Sequence, residues 1–511
     1  MSIEPGLQAF ARGYDSGVAQ LVWTRLIDDL ETPVSAYLKI AHGKNYAFLF
    51  ESVEGGAWRG RYSIVAMNPD LVWRCRGDQA EIAVGDDIDR GRFVLQEGGT
   101  LDSLRDAAAA ARIDLPDGLP PMATGLFGVF GYDVVRLIER LPDVNPDPLD
   151  LPDAILIRPT IVAIFDGVAQ EILIVSSIRP DERPAAVAFQ EAQDRIGVVV
   201  TDLSRSLPAQ SKRAETEAPP NLSSVVDRTA YGKIVERAKA YIRAGDVFQV
   251  VPSHRFSAPF ALDPFALYRS VRRVNPSPFL YFLNFNGFQL VGSSPEILVR
   301  LRDGKITIRP LAGTRRRGAN PAEDQALEQE LLADPKERAE HLMLLDLGRN
   351  DVGRVALLRE PGRNEDRPAA RKPRVRVTES FAIERLSHVM HIVSNVEGDA
   401  PEGLDPVDVL LAALPAGTLS GAPKVRAMEI IDELEDEKRG VAYAGAVGYF
   451  GADGSVDTCI VLRTGLVKDG VLYVQAGGGV VADSDPNAEY EETLQKAGAL
   501  RRAAAEAWQF A

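Results

Sequence analysis

Two strand-like runs, residues 160–165 and 171–177, flank Asp166-Gly167, and this short junction constrains the fold more than any other feature of the chain. So few residues can only turn the chain back on itself, so the two runs must pair antiparallel. Further strand-like runs at 46–50, 279–283, 297–301 and 305–308 do not alternate regularly with helices. That mixture predicts an α+β fold and not a doubly wound parallel sheet.

Residues 202–227 (DLSRSLPAQSKRAETEAPPNLSSVVD) are polar, rich in Ser, Ala and Pro, and poor in large apolar side chains. They predict a linker between an N-terminal region, 20–201, and a C-terminal region, 228–508. A helix is expected directly after it, with Thr229 as N-cap, Ile234, Ala238 and Ile242 on one face, and Gly245 as terminator. Asp334-Pro335 and Asp485-Pro486 each place a capping oxygen before a proline suited to the first helical position, predicting two more helix starts. The charged, breaker-rich stretch 360–372 reads as an exposed loop insertion.

The balance of the 511 residues, 26% charged and 45% hydrophobic, is that of a soluble globular chain. Fifty-eight basic residues against 73 acidic ones give a net charge of -15, which argues against a nucleic-acid partner. Cys75 and Cys459 lie far apart without metal-type spacing, as expected in a reducing compartment. The N-terminus lacks a signal-peptide pattern, and no apolar run approaches the ~20 residues needed to span a bilayer. These features predict a cytoplasmic protein with no membrane partner.

Glu337 and Glu340 follow the first Asp-Pro pair, and Glu489 and Glu492 follow the second. Spacing of i, i+3 puts each pair on one helical face. Four carboxylates converging from two helices would suit a hard cation such as magnesium, although acidic residues also favour first turns through the helix dipole alone. His391 lies in an apolar strand-like run, where a lone histidine is more often a satisfied core residue, and His341 reads as structural. Gly417-Thr418-Leu419-Ser420-Gly421-Ala422-Pro423-Lys424 lacks phosphate-loop spacing, and Pro423 removes a backbone donor. Its glycines instead suggest close approach of backbone to a ligand, while Gly477-Gly478-Gly479 could present N–H groups to a carboxylate or form a plain turn. No G-x-S-x-G elbow or cysteine nucleophile motif is present, so a nucleophilic hydrolase is disfavoured.

The segments FLFES (48–52), GDVFQVVPS (245–253), NPSPFLYF (275–282), SSPEILVR (293–300), RPLAGTRRRG (309–318), ERAEHLMLLDLGRND (337–351), SHVMHIVSNVEG (387–398), LPAGTLSGAPK (414–424), DTCIVLRTG (457–465), QAGGGVVADSDP (475–486) and EYEETLQKA (489–497) follow one another along the chain. In kind and order they resemble the chorismate-utilising enzymes, and most closely the anthranilate synthase large subunits. The resemblance implies two large antiparallel sheets packed on each other with helices outside. It implies magnesium held directly by Glu340 and Glu492 and through water by Glu337 and Glu489. Glu296 matches the acid facing the leaving hydroxyl, His391 the catalytic histidine, and Thr418 a residue contacting substrate. Ala312, Gly313, Thr314, Tyr449, Arg463, Gly477, Gly478, Gly479 and Lys496 match the substrate-binding set.

Within the family, aminodeoxychorismate synthases usually carry a lysine where this chain has Ala312, so covalent capture of the substrate is not expected. Isochorismate and salicylate synthases carry a lysine base where this chain has Gln249, and an amide cannot serve as that base. The implied reaction joins chorismate and ammonia and releases anthranilate and pyruvate. The chain ends soon after the last motif, so the expected source of ammonia from glutamine is a separate glutamine amidotransferase subunit (component II), in a heterotetramer. Glu51 and Ser52, with Pro278, Phe279 and Leu280, match the family's element for feedback inhibition by L-tryptophan. Two departures stand out: the 360–372 insertion, and Leu280 where many members have methionine, a swap that conserves volume.

Overall fold

The computed structural model describes residues 2–52, 60–207, 220–356, 375–386 and 389–511. The expected insertion at 360–372 and residues 208–219 of the 202–227 segment lie outside these residues. Of that segment, Asp202 and Leu203 complete the helix Ala185–Leu203, and Ser223 forms an isolated bridge with Ser257.

The fold is α+β, and its strands pair antiparallel. Two long strands, Tyr62–Arg76 and Ala154–Asp166, pair along most of their length and organise everything else. Asn68 adopts φ 54° and the register slips between Pro69 and Leu71, so the pair bends midway. One half extends into a first sheet through Ala47–Glu51, Phe279–Asn284, Phe288–Ser294, Thr464–Lys468, Val471–Gly477 and Ser253–Pro259 on one side, and Glu171–Ile178 and Gln20–Ile27 on the other. The other half extends into a second sheet through Gly125–Phe130, Ala446–Gly451, Val456–Ile460, Ile297–Arg302, Lys305–Ile308 and Val389–Asp399. Leu311–Arg316 and Arg376–Arg385 also pair with Val389–Asp399. The two expected sheets are therefore joined into one large curled network.

Side-chain alternation explains the layering. Phe48, Val72, Phe127, Ile157, Val162, Leu283 and Leu466 fill the space between the sheets. The opposite face of the first sheet is covered by Leu7–Tyr14, Pro33–Ile40, Ala185–Leu203, Pro264–Val274 and Pro486–Glu506. That of the second is covered by Thr100–Ala111, Pro335–Ala356 and Pro406–Ala413. Strands from before and after residues 202–227 meet side by side within both sheets, at Leu49↔Phe282 in the first and Phe127↔Tyr449 in the second.

The hairpin at Asp166 forms as its sequence requires, but through a longer turn. Asp166 pairs with Glu171, its carboxylate accepts the N–H groups of Val168 and Ala169, and Gln170 takes the left-handed conformation. The side-chain cap replaces the glycine-driven turn that Asp166-Gly167 suggested. The helix Arg228–Ala244 is capped by Asp227, not Thr229; the Asp227 carboxylate accepts the Ala230 N–H at 2.8 Å. Gly245 ends this helix at φ 86°, as expected. Among the described residues no helix is long and apolar enough to cross a membrane.

Candidate active site

The site arises where the chain passes twice between the two sheets. Phe288–Ser294 of the first sheet continues into Ile297–Arg302 of the second through Pro295-Glu296. Val456–Ile460 of the second returns to the first as Thr464–Lys468 through residues 461–463. The crossings run side by side: Ile460 N–H donates to the Glu296 carbonyl at 3.0 Å, and Ser293 N–H to that of Arg463 at 3.3 Å. Glu296 and Arg463 thus share one end of the sandwich, where the ladders part and backbone no longer fills the space.

Glu296 is 7% exposed, and Thr418 Oγ1 lies 3.4 and 3.5 Å from its two oxygens. Burial pushes its carboxyl up to about 8, against the opposing pull of Thr418 and Arg463. It therefore carries a proton at neutral pH, as a general acid must. Burial likewise lowers the Arg463 guanidinium, with Glu296 opposing. Glu296, Gly417, Thr418 and Asp351 line a cavity of about 30 Å³, and Asp351 is paired with Lys424 at 3.0 Å.

His391 lies opposite a bulge. The pairing of Leu311–Arg316 with Val389–Asp399 skips Gly313, which takes φ 65°, so Ala312 faces Ile392 and Thr314 faces His391. His391 Nδ1 is 3.1 Å from both the Gly313 carbonyl and Thr314 Oγ1. Nε2 is buried and has no partner among the described residues. Donation from Nδ1 to the Gly313 carbonyl leaves Nε2 as the free acceptor. Burial, together with Arg463, lowers the imidazole to about 4, so it is neutral and able to take a proton.

The four glutamates converge from the two helices that the Asp-Pro pairs begin. Asp334 Oδ1 accepts the N–H groups of Lys336 and Glu337, and Asp485 Oδ1 those of Asn487 and Ala488. Glu340 is raised by burial and then by Glu337 and Glu492; Glu489 is raised by burial and by Glu492, with Ser484 opposing. Cations moderate the repulsion: Lys496 Nζ lies 2.8 Å from Glu492, and Arg315 Nη1 3.2 Å from Glu337. No three described ligand side chains are close enough to hold one ion. The donor chemistry nevertheless suits a hard dication, being all oxygen and partly buried, with Glu489 Oε2 lacking a hydrogen-bond partner among the described residues.

Glycines bring these elements together. A Cβ at Gly313 would stand 3.1 Å from Glu337 Oε2, and one at Gly478 would stand 2.8 Å from Glu489 Oε2. Gly479 leaves room for the Gln249 amide, whose Oε1 is buried and has no partner among the described residues. Lys496 also donates to the Gly477 carbonyl at 2.9 Å.

Tyr449 stands apart from this group. Its ring packs on Phe127, itself beside Phe50, and its hydroxyl accepts from Arg302 at 3.5 Å. Tyr443, which the sequence reading passed over, is the tyrosine at the glycine strip: the Gly477 amide and the Glu492 carboxylate both act on its hydroxyl. Glu51 pairs with Leu280 across the first sheet. Glu51 is held by Tyr268 and by Arg272, whose Nε lies 2.9 Å from Oε1 and Nη2 3.0 Å from Oε2. Ser52 accepts the Gly60 N–H at 2.9 Å.

A profile described as chorismate binding enzyme matches residues 47–502. The chain is 56% identical over 505 residues to anthranilate synthase component 1 of Cereibacter sphaeroides, covering 99% of this chain and 98% of that one. It is 47% identical to the protein of that name in Pseudomonas putida, covering 93% of each. The crystal structure of anthranilate synthase component I from Streptococcus pneumoniae superposes with a TM-score of 0.73 at 34% identity, covering 93% of this chain and 99% of that one. The menaquinone-specific isochorismate synthase MenF of Escherichia coli superposes at 0.69 with 18% identity and 98% coverage of each, a likeness of fold alone.

Proposed function

The chain belongs to the chorismate-binding enzyme family, and from that premise we propose that it is a lyase converting chorismate and ammonia to anthranilate and pyruvate, the first committed step toward tryptophan. The observation that carries this reading is the protonated Glu296 buried beside Thr418 and Arg463, with the unpartnered Nε2 of His391 in the field of the same arginine. Glu296 gives its proton to the departing ring hydroxyl as ammonia adds to the ring. His391 Nε2 then accepts the ring proton as the enolpyruvyl group leaves as pyruvate. Arg463, Tyr443, Thr418 and the 477–479 backbone position substrate carboxylates. Glu340 and Glu492 would hold magnesium, with Glu337 and Glu489 behind them. When bound, the ion would neutralise a substrate carboxylate and fix its orientation.

Two positions favour ammonia over water or a covalent amine. Ala312 is buried against Ile392 and offers no nucleophile. Gln249 cannot act as a base toward water. Ammonia comes from a glutamine amidotransferase subunit, component II, in a heterotetramer in the cytoplasm. The two buried free thiols fit that setting. Mixing the protein with chorismate, magnesium and ammonium salt should generate anthranilate fluorescence and equimolar pyruvate. Isochorismate as the product would refute the reading.

Two variants probe the parts. His391→Met keeps the bulk and removes both ring nitrogens. It should slow pyruvate release about a hundredfold while the aminated intermediate accumulates; a wild-type ratio of pyruvate to chorismate consumed, at wild-type rate, excludes the role. We also propose that tryptophan inhibits through Glu51, Ser52 and residues 278–280. Ser52→Phe should then raise the inhibitory tryptophan concentration at least about tenfold, equivalent to roughly 1.4 kcal/mol. Uninhibited turnover should be little changed, and an unaltered inhibition curve would remove the site from Ser52.

A further inference from the structure

His341 follows Glu340 in the Pro335–Ala356 helix, yet it points into the protein and is wholly buried. Its Nε2 lies 2.6 Å from Ser394 Oγ. Ser394 is three residues beyond His391 in Val389–Asp399 and fills a gap left by the neighbouring strand. The pairing of Arg376–Arg385 with that strand slips between Glu379 and Ala382, and Phe381 takes φ 52°. The Phe381 N–H, removed from the ladder, donates instead to Ser394 Oγ at 3.1 Å. The Phe381 ring is gripped from the helix side, with the His341 ring edge-on at 4.8 Å and the Arg338 guanidinium over it at 4.8 Å. One serine oxygen thus joins a helix and two strands.

The same helix carries Glu337 and Glu340, and the Ser394 strand carries His391. They meet again at Gly313, whose carbonyl holds His391 Nδ1 and whose missing Cβ makes room for Glu337. We propose that His341, acting through Ser394, is a positioning residue that fixes the height of the glutamate-bearing helix against the His391 strand, and so sets the cation affinity of the glutamate quartet. This rests on the metal reading above. A helix free to slide by a fraction of its rise would carry both carboxylates out of place, and shifts of about 1 Å at such sites cost up to ~100-fold. A buried imidazole fits the task better than an aliphatic side chain, because only a polar group holds the serine oxygen in one orientation.

The test is binding of Mn²⁺, read by electron paramagnetic resonance without chorismate, to folded wild type, Glu340→Gln, His341→Leu, His341→Gln and Ser394→Ala. Near-ultraviolet circular dichroism establishes that each variant is folded. His341→Leu and Ser394→Ala should weaken binding at least about tenfold. His341→Gln, whose amide can still reach Ser394, should recover binding to within about threefold of wild type. Should Glu340→Gln bind Mn²⁺ as wild type does, the metal reading itself fails. Loss of binding in Glu340→Gln with normal binding in a folded His341→Leu overturns the positioning role alone. If Leu and Gln at 341 lower binding equally, the hydrogen bond is not the device and the proposal is again overturned.

Discussion

Replacing Glu296 with glutamine should lower ammonia-dependent turnover by about 10²–10⁴-fold while making the protein more stable above neutral pH. The side chain keeps its shape and its contact with Thr418 but loses the proton the leaving hydroxyl needs. In wild type that proton is present below about 8 and is lost as pH rises through that value. At constant free-ammonia concentration, the basic limb of kcat should therefore fall near pH 8, and the residual activity of Glu296→Gln should lack this limb. The stability effect follows from linkage. The unfolded carboxyl titrates near 4.5, so between about 4.5 and 8 the folded state holds a proton that the unfolded state has released. Stability from this group is complete below 4.5, declines across that window and levels off above 8, where the carboxyl is charged in both the folded and the unfolded state. Glutamine has no such window, so its melting temperature relative to wild type should climb from pH 5 to pH 9. A variant with near wild-type rate, or a temperature difference flat in pH, would falsify the assignment of a buried neutral acid at this position.

The fold was legible wherever a local device left a local mark. Asp334-Pro335 and Asp485-Pro486 cap their helices as read, because an N-cap involves only neighbours in sequence. The cap at Asp227 instead of Thr229 shows the limit: both residue types accept hydrogen bonds, and the choice is made where the chain leaves the Ser223 bridge. The bend in Tyr62–Arg76 and the two crossings at Glu296 and Arg463 left no comparable mark. They follow from how twisted strands far apart in sequence share two sheets, and residue patterns do not encode a neighbour as remote in sequence as Ile460 is from Glu296.

The candidate site divides in the same way. The glutamate quartet could be read because i, i+3 spacing converts sequence into a helical face. Glu296 and His391 came from resemblance, since nothing local separates a buried acid or histidine that works from one that only packs. Tyr443 and Tyr449 illustrate the cost of that route. Both lie in the stretch VAYAGAVGYF, and only the fold sends Tyr443 to the Gly477 strip and Tyr449 between the sheets. The signal available was the alternation of faces along Ala446–Gly451, which points Tyr449 toward Phe127. His341 reads as structural from sequence because it lies next to Glu340, and adjacency on a helix does separate their faces. What it hid is that the second face, too, bears on the site.

Arg439→Met should destabilise the protein by about 3–5 kcal/mol, the largest stability effect expected of a single change here. Arg439 is 1% exposed and ion-pairs with Glu435, its Nε 3.0 Å from Oε2. Nη1 donates to the Leu419 carbonyl at 2.6 Å and Nη2 to that of Val251 at 2.7 Å. Its guanidinium lies over Tyr132 at 4.8 Å and Tyr443 at 5.3 Å. Glu435 in turn accepts Ser253 N–H at 2.7 Å and Oγ–H at 2.9 Å. One cation therefore ties together the Thr418 turn, the segment carrying Gln249 and the ring of Tyr443, three parts of the site with no covalent neighbour in common. Methionine fills much of the volume but leaves the Glu435 carboxylate without its counter-charge and two carbonyls without donors. Lysine would fare little better, because a single ammonium cannot reproduce a planar fork spanning three acceptors. Adding Glu435→Gln to Arg439→Met removes the stranded charge while keeping an acceptor for Ser253, and should recover at least about 1 kcal/mol, a coupling readable in a double-mutant cycle. Urea unfolding midpoints measure both effects. An Arg439→Met protein within about 1 kcal/mol of wild type would mean that water or a shifted side chain already satisfies Glu435, and that the three segments are held by their apolar packing instead.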